Sequence, residues 1–499
     1  MSVTPIGLII ASISLVIFLS APRYLVPWAI AVSVLQAASV LNFAGAFAIG
    51  VSPFFLVTIL MSLRFAALWL SGRLSFRRDE SLYLYLRPLL LLVLWGAFSA
   101  FALPRIFAGA LVDSPRRGMD TLTTVPLEWT WSNIAQAGYL ILDYVFVLYA
   151  LMQCAESRQL ERIIGAFRWS GAFAAAVGGY QFVAHFAHLP YPEKFFNSNL
   201  AWAQLIDQNI AGTWRISGTF TEPSAAGTYF AMWTTFLLFS TIGDKGRARS
   251  NWTLLAIGIV MLALTTSTTG YVAGAAVLAL FLGEQVAELI VHGVVRRTVV
   301  LTLGSIVIAL VVVILIFPDF RRVLSEVIWQ KSQSRSSQDR SATSVRALYL
   351  VRQTVGLGVG LGSNRPSGLV FYILSDMGIP GLVLFLYLLE ITRRLTRQAA
   401  ARQVANGRLG SYIKACGWAF ATAIFAAFIA GAEVTAPILW VSWGVLLAVC
   451  RHSYLSREPL IDNSAAIDNS FVYTAHAIDS EMSFGTANRG RVSGIVSNV

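Results

Sequence analysis

Residues 88–103 read Pro88-Leu-Leu-Leu-Leu-Val-Leu-Trp-Gly-Ala-Phe-Ser-Ala-Phe-Ala-Leu103 and carry no charge, and runs of this kind recur along the whole chain. A membrane-spanning helix needs about 20 mainly apolar residues. Hydrophobic residues make up 56% of the 499 residues and charged residues only 12%, whereas soluble domains average about 25% charged residues. Because a backbone in lipid has to satisfy its own hydrogen bonds, the composition predicts an all-α polytopic membrane protein.

The apolar runs predict about 12–13 transmembrane helices, with no soluble domain between them. The runs lie near 5–21, 24–41, 47–70, 88–108, 134–154, 163–187, 224–242, 252–266, 269–290, 298–317, 369–391, 413–432 and 434–450. Residues 1–455 are therefore predicted to form one membrane domain. Residues 456–499 are rich in Asn, Ser and Asp and lack apolar periodicity, which is typical of a disordered tail.

The charge distribution predicts the orientation of the chain in the membrane. The net charge is +12, and Lys and Arg mark the cytoplasmic loops of membrane proteins, so this charge does not indicate a nucleic-acid partner. Short basic loops lie at 73–87, 158–168, 245–249, 296–297 and 393–414, and alternation of the spans places them on one face with the tail. Three long loops, at about 109–133, 188–223 and 318–368, are then extracytoplasmic.

The third long loop is itself basic, against the orientation rule. It contains Arg321, Arg322, Lys331, Arg335, Arg340, Arg346, Arg352 and Arg365 against Asp319, Glu326 and Asp339. An anionic ligand explains why this charge lies on the outer face.

A first candidate site segment reads Trp214-Arg-Ile-Ser-Gly-Thr-Phe-Thr-Glu-Pro-Ser-Ala-Ala-Gly227 and precedes an apolar span directly. Charged groups near hydrocarbon are costly and persist mainly where they bind something charged. Pro223 suits the first turn of a helix, whose free N–H groups attract anions, and the fork of Arg215 can bind two phosphate oxygens. Glu222 either orients Arg215 or acts as a general base. An interfacial ion pair between the two is the structural alternative.

A second candidate segment reads Ser344-Val-Arg346-Ala-Leu-Tyr-Leu-Val-Arg352-Gln-Thr-Val-Gly356-Leu-Gly-Val-Gly-Leu-Gly362-Ser-Asn-Arg365, and Leu374-Ser-Asp376-Met-Gly-Ile-Pro-Gly381 follows. The alternating glycines form a loop that can press its backbone against a ligand. No strand precedes them, which excludes a Rossmann nucleotide site. Arg365 stays protonated, so it can stabilise charge but cannot shuttle a proton. Asp376 is either part of the site or a helix-buried acid paired with an arginine.

Together these segments resemble the two conserved motifs of the O-antigen polymerase and O-antigen ligase superfamily. The first motif is roughly Arg-x-x-Gly-x-Phe-x-x-Pro; the second is Arg, a short helix, Gly-x-Gly-x-Gly, a His-Asn pair and a span with an acidic residue before Gly-(Ile/Leu)-x-Gly. The resemblance covers about residues 160–450. Asn364-Arg365 stands where many members, ligases especially, carry His, which argues against a ligase-like mechanism. The variants Thr221-Glu-Pro-Ser224 and Gly362-Ser-Asn-Arg365 are most similar to exopolysaccharide polymerases. A GT-C-like architecture is implied.

The resemblance implies an inverting, metal-independent glycosyltransferase at the outer face of the bacterial inner membrane. It would transfer a growing glycan from undecaprenyl diphosphate onto a lipid-linked repeat unit, beside chain-length regulator and export proteins. Catalytic roles are expected for Arg215, Glu222, Arg346 and Arg365, and substrate-binding roles for Arg352, Gly360, Gly362, Ser363, Asn364 and Asp376. No metal ion and no cofactor are expected. The alternatives are an O-antigen ligase acting on lipid A core and a transporter of polysaccharide or lipid-linked sugar.

A third segment, Leu264-Thr-Thr-Ser-Thr-Thr-Gly-Tyr271, is a polar break between two apolar runs. Ser and Thr hydroxyls can bond back to helix carbonyls or bind sugar hydroxyls. The residues favour a role in helix packing.

Overall fold

The computed structural model describes residues 1–43, 49–72, 80–113, 123–200, 209–210, 213–243, 248–293, 304, 335–403, 407–430 and 433–455. Its helices are α1 (Pro5–Ser20), α2 (Leu25–Val32), α3 (Pro53–Leu70), α4 (Glu80–Ile106), α5 (Trp131–Gln153), α6 (Ser157–Phe186), α7 (Glu193–Phe196), α8 (Pro223–Gly243), α9 (Ala248–Leu264), α10 (Thr268–His292), α11 (Arg335–Gln353), α12 (Leu369–Arg402), α13 (Gly407–Ile429) and α14 (Pro437–Leu455).

Within the described residues, eight helices are long and apolar enough to cross a membrane, namely α3, α4, α5, α8, α10, α12, α13 and α14. Helices α1 and α9 are apolar but shorter. Helix α6 has 30 residues, and glycines together with Gln181 and His185 dilute its apolar run. The chain is therefore a multi-pass α-helical membrane protein, with fewer qualifying spans in this part of the chain than the sequence predicts.

The predicted span at 24–41 is wrong, because only α2 is helical there and the chain then turns. The backbone of this segment finds its partners in other segments. Ala37 N–H donates to the carbonyl oxygen of Thr219 at 3.0 Å, and Val40 N–H donates to that of Val51 at 2.7 Å. Irregular backbone is tolerated at membrane depth where protein supplies such partners. The predicted span at 298–317 lies outside the described residues except for position 304, as do Arg321, Arg322, Lys331 and the tail 456–499.

Three small antiparallel sheets lie in the connections, a local departure from the all-α prediction. The first contains β1 (Ser2–Val3), β2 (Leu41–Phe43) and β3 (Ile49–Val51), in that order. The second pairs β4 (Leu111–Asp113) with β5 (Thr124–Pro126), and the third pairs β6 (Asn209–Ile210) with β7 (Thr213–Trp214). The long loops predicted at 109–133 and 188–223 thus each contain a hairpin, and the described part of 318–368 begins with the helix α11.

The described residues of two predicted basic loops, 158–168 and 393–414, lie at the same end of the helix bundle. Arg408 Nη2 lies 3.1 Å from Glu161 Oε2, which joins the first turn of α13 to the first turns of α6. Arg402, near the end of α12, lies over the ring of Tyr454 near the end of α14. We call this the basic end; it holds the starts of α4, α6, α9 and α13 and the ends of α5, α8, α12 and α14.

The other end gathers the long connections. Asn42 Nδ2 donates to the carbonyl oxygen of Ser198 at 2.8 Å, so the chain between α2 and α3 contacts the chain after α6. Gln136 Nε2, in the first turns of α5, donates to Glu433 Oε2 before α14 at 3.0 Å. We call this the loop end; it comprises the described residues of 33–52, 107–130, 187–222, 335–368 and 433–436. Both candidate segments lie at this end.

Candidate functional site

A loop with alternating glycines, residues 354–368, crosses a break in α12. Gly378 has φ 69° and ψ −169°, so α12 is not helical there. In a regular helix the carbonyl of Asp376 would accept from residue 380, but Pro380 has no N–H. Gly360 N–H supplies the missing donor at 2.9 Å, and Val359 N–H donates to the carbonyl of Ser375 at 2.7 Å. The glycine loop therefore completes the hydrogen bonding of the broken helix.

The glycines of this loop allow close contact with neighbouring helices. Gly360 has φ 103°, and a Cβ at this position would lie 2.5 Å from Pro104 Cδ of α4. Gly362 has φ 85°, and its Cβ would lie 2.9 Å from Gln136 Cγ of α5. Left-handed φ values favour glycine. The sequence predicted that these glycines press against a ligand, whereas in the structure the protein's own helices occupy those positions.

Asp376 holds the glycine loop from inside α12. Its Oδ2 accepts from Gly362 N–H at 2.8 Å, and its Oδ1 accepts from Ser375 Oγ at 2.9 Å. The backbone N–H of Asn364 also donates to this carboxylate. The side chain is fully buried. Its bonds with the loop backbone give Asp376 a positioning role, and they differ from the arginine pairing that the sequence offered as an alternative.

Ser363 is buried and takes part in the hydrogen bonds that hold the glycine loop in place. Asn133 Nδ2 of α5 lies 2.8 Å from Ser363 Oγ and also donates to the carbonyl oxygen of Leu361 at 2.8 Å. The glycine loop is thus attached to α5 as well as to α12.

Asn364 joins the glycine loop to the β4–β5 hairpin and to α11. Its Oδ1 accepts from the backbone N–H of Asp113 at 2.9 Å, and Asp113 forms an ion pair with Arg346. Val112 packs with Leu350 of α11 in a small hydrophobic cluster, which fixes the hairpin against the helix. Burial raises the pKa of Asp113 to about 6, although Arg346 acts in the opposite direction.

Arg365 forms a second ion pair at the same loop. Its Nη2 lies 3.1 Å from Glu433 Oε1, and both side chains are only partly exposed. Glu433 also accepts from Gln136 Nε2 at 3.0 Å, and Gln136 Oε1 accepts from the hydroxyl of Thr435. The sequence gave Glu433 no role, and the structure makes it the partner of Arg365.

Arg215 is buried beside the polar break 264–271. Its Nε donates to the carbonyl oxygen of Thr265 at 3.0 Å. Burial lowers the pKa of Arg215 from its ordinary value; the nearby Glu222 and Tyr271 raise it, and Arg340 of α11 lowers it. Glu222 also accepts from the hydroxyl of Ser224. The charges of a carboxylate and of a second guanidinium therefore both act on Arg215.

The backbone that carries Arg215 is fixed from α6. Gln181 Oε1 accepts from the N–H groups of Ser217 and Gly218, at 3.0 and 2.6 Å. Gly218 has φ 59°, and a Cβ there would lie 3.3 Å from Gly178 Cα. In the polar break, Ser267 caps α10 by accepting from Gly270 N–H at 3.2 Å. The packing role that the sequence favoured for this break agrees with these contacts.

Helix α11 lies between the two arginine groups. The charge of Arg340 lowers the pKa of Arg215, and Arg346, one to two turns later, forms an ion pair with Asp113. Arg346 also lines an open cavity of 540 Å³ with Ser341, Ala342, Val345 and Tyr349. Ser367 N–H donates to Thr343 Oγ1 at 3.4 Å and ties the middle of α11 to the end of the glycine loop.

The structure therefore brings most of the predicted residues to the loop end, in two groups. Arg346 and Arg365 belong to one network with Asn364, Ser363, Gly360, Gly362 and Asp376. Arg215 and Glu222 form a second group, coupled to α11 through Arg340. Arg352 is exposed on α11, and no contact joins it to either group among the described residues.

Sequence reasoning missed Asp113, Gln136, Asn133 and Gln181. Each is an isolated polar residue in a segment without a motif, so only the tertiary contact reveals it. Arg340 appeared in the sequence only as one of the basic residues of its loop.

Among the described residues, no three His, Cys, Asp or Glu side chains lie close enough to hold a metal ion. No protein-family model matches the chain, and no curated protein matches it.

Proposed function

We propose that this protein is a polysaccharide polymerase that transfers a growing glycan from undecaprenyl diphosphate onto a lipid-linked repeat unit. One observation supports the proposal: α11, which carries the first part of the second candidate segment, is linked at the loop end both to Arg215 and to the glycine loop. The positive charge of Arg340 of α11 acts on Arg215 and lowers its pKa, and Arg346 of α11 reaches the glycine loop through Asp113 and Asn364. These arginines come from segments far apart in the chain, and under the proposal they bind one anion together.

The chemistry of the reaction fits such a region. The leaving group is a lipid diphosphate, and its negative charge grows as the sugar departs. A pair of unit charges 4 Å apart gains about 4 kcal/mol at an effective dielectric constant near 20. Two or three fixed guanidinium groups therefore supply much of the stabilisation that the departing diphosphate requires.

The orientation supports an extracytoplasmic site. The basic end carries the short Lys- and Arg-rich connections, which the positive-inside rule assigns to the cytoplasm. The loop end then faces away from the cytoplasm. Under the proposal, lipid-linked repeat units are joined on this outer side of the membrane. We infer location in a bacterial inner membrane from this arrangement and from the resemblance of the motifs.

The test is reconstitution of the purified full-length protein in proteoliposomes. The substrate is the lipid-linked repeat unit extracted from cells that lack the protein. A ladder of products longer than one repeat unit, with release of undecaprenyl diphosphate, supports the polymerase. Transfer to added lipid A core without elongation identifies a ligase and overturns the proposal. Movement of substrate across the bilayer without elongation identifies a transporter and also overturns it.

One observation favours the transporter as a second candidate. Asp143 lies near the middle of α5, is fully buried, and neither carboxylate oxygen has a hydrogen-bond partner in the described part of the chain. Ionisable residues at such depth are costly and often mark ion pathways. A proton-dependent uptake that the Asp143→Asn variant loses would favour transport, whereas elongation that this variant retains would favour the polymerase.

A further inference from the structure

The β4–β5 hairpin places an unused carboxylate oxygen against the glycine loop. Asp113 Oδ1 pairs with Arg346, whereas Asp113 Oδ2 is buried and has no hydrogen-bond partner within the described residues. The side chain of Asp113 is 3% exposed. Buried polar atoms in proteins are nearly always bonded, so an unpartnered one calls for a ligand or another explanation.

A second unpartnered atom belongs to Asn364, the side chain that is bonded to the backbone of Asp113. Asn364 Oδ1 accepts from the backbone N–H of Asp113 at 2.9 Å. A backbone N–H can only donate, so this bond fixes the orientation of the amide and leaves Nδ2 as the remaining donor. Asn364 is fully buried, and its Nδ2 has no partner among the described residues. One acceptor and two donor hydrogens are therefore left over at neighbouring side chains.

This donor–acceptor pair matches a hydroxyl group. A hydroxyl donates one hydrogen bond and accepts others, so it can donate to Asp113 Oδ2 while accepting from Asn364 Nδ2. A phosphate fits poorly, because its oxygens would face the carboxylate. Arg346, which pairs with Asp113 and lines the open cavity, keeps further N–H donors for an anion on the cavity side.

We propose that Asp113 and Asn364 bind the acceptor hydroxyl of the incoming repeat unit and that Asp113 is the general base. The proton of the hydroxyl moves to Asp113 Oδ2 as its oxygen bonds to the anomeric carbon of the donor sugar. The bond between that carbon and the diphosphate oxygen breaks, and undecaprenyl diphosphate leaves with the electron pair. The inference rests on the proposed polymerase function and gives Glu222 the orienting role.

The surroundings suit a base that works near neutral pH. Burial raises the pKa of the Asp113 carboxyl to about 6, and Arg346 opposes this shift. Arg346 is the charged side chain that contacts Asp113 from α11, and the carboxylate of Asp376 accepts from the backbone N–H of Asn364. A base has to be ionised to accept a proton, so kcat should rise as the pH increases through about 6.

The test compares the wild type with the isosteric Asp113→Asn variant in the proteoliposome assay. General-base catalysis is typically worth about 10²- to 10⁴-fold, so kcat should fall at least about 100-fold, with KM for the lipid-linked donor unchanged. Asp113→Glu should recover part of the rate. The matched control is Glu128→Gln, an exposed carboxylate in the same connection, which should leave kcat unchanged.

The pH profile separates a base from a residue that only positions Arg346. The kcat of the wild type should decrease below about pH 6. The residual kcat of Asp113→Asn should not show this decrease. If Asp113→Asn changes only KM for the lipid-linked donor and its kcat still falls below about pH 6, Asp113 is a positioning residue. That result would overturn the inference. Normal elongation by Asp113→Asn would do the same. If the wild type itself forms no products beyond one repeat unit, it is the proposed function that fails.

Discussion

At the scale of single residues, the site depends on arginines that are held by named partners. Arg215 donates to the carbonyl of Thr265 and faces Glu222, Arg346 pairs with Asp113, and Arg365 pairs with Glu433. These partners fix the side chains before any substrate arrives. Preorganised charge stabilises a transition state without reorganisation during the reaction.

The Arg215→Lys variant separates charge from geometry. Lysine keeps the positive charge but lacks the planar fork that binds two oxygens. We expect at least about tenfold slower elongation, since a charge-assisted hydrogen bond contributes about 1.5–3 kcal/mol. The readout is the rate of product-ladder formation. Arg393→Lys, at an exposed position of the basic end, is the control and should be unaffected. Unchanged elongation in Arg215→Lys would remove Arg215 from the diphosphate site.

Asp376 should matter for stability as well as for activity. Asp376→Ala leaves the N–H groups of Gly362 and Asn364 buried without their acceptor. Each such group costs about 1–3 kcal/mol, so we expect a clearly lower unfolding temperature in detergent. Glu390→Ala lies on the same helix at the exposed basic end and should change stability by less than about 0.5 kcal/mol. Equal unfolding temperatures for the two variants would contradict the positioning role.

At the scale of elements, the main unit is the glycine loop set into the break of α12. Pro380 leaves the carbonyl of Asp376 without a helical donor, and Gly360 N–H supplies one. The break and the loop therefore depend on each other. Helix α11 precedes this unit and carries Arg340 and Arg346 towards its neighbours.

Gly360→Ala tests this arrangement. Alanine disfavours the φ of 103°, and its Cβ would clash with Pro104. We expect loss of elongation together with reduced thermal stability. Gly283→Ala is the control, because a Cβ there meets nothing within 4 Å and alanine favours a helix interior by about 1 kcal/mol. A Gly360→Ala protein as active and stable as Gly283→Ala would refute the close approach of the loop to α4.

The sequence predicts some elements better than others for physical reasons. Long apolar runs such as α4, α5 and α12 are readily found, because lipid enforces helices there. The segment 24–41 is equally apolar, but protein contacts from Thr219 and Val51 replace helical bonds after α2. The motifs reveal Arg215 and Arg346, which stand at recognisable spacings. Asp113 is an isolated acid at the end of the short strand β4, and only packing of the hairpin on α11 brings it to Asn364.

At the scale of the whole molecule, the two polar ends differ in what they contain. The basic end holds short connections, and the loop end holds the hairpins, the glycine loop and the arginine groups. Our account requires these ends to lie on opposite sides of the membrane, with the loop end facing out.

Cysteine labelling tests this orientation. The native Cys154, Cys416 and Cys450 are all buried, so they give a low background. A membrane-impermeant maleimide should label the Glu193→Cys variant in spheroplasts with intact membranes. The Arg394→Cys variant should be labelled only after permeabilisation. The reverse pattern would place the arginine groups in the cytoplasm and contradict the proposed function.

The most direct test of the account is binding of undecaprenyl diphosphate to the protein in nanodiscs, measured for wild type, Arg215→Lys, Arg346→Lys and the double variant. If both arginines contact one diphosphate, each single change should weaken binding about tenfold or more, and the two effects should not be additive, because residues that share a partner are coupled. Undiminished binding in both single variants, or fully additive losses, would contradict the claim that arginines from the two segments hold the same diphosphate.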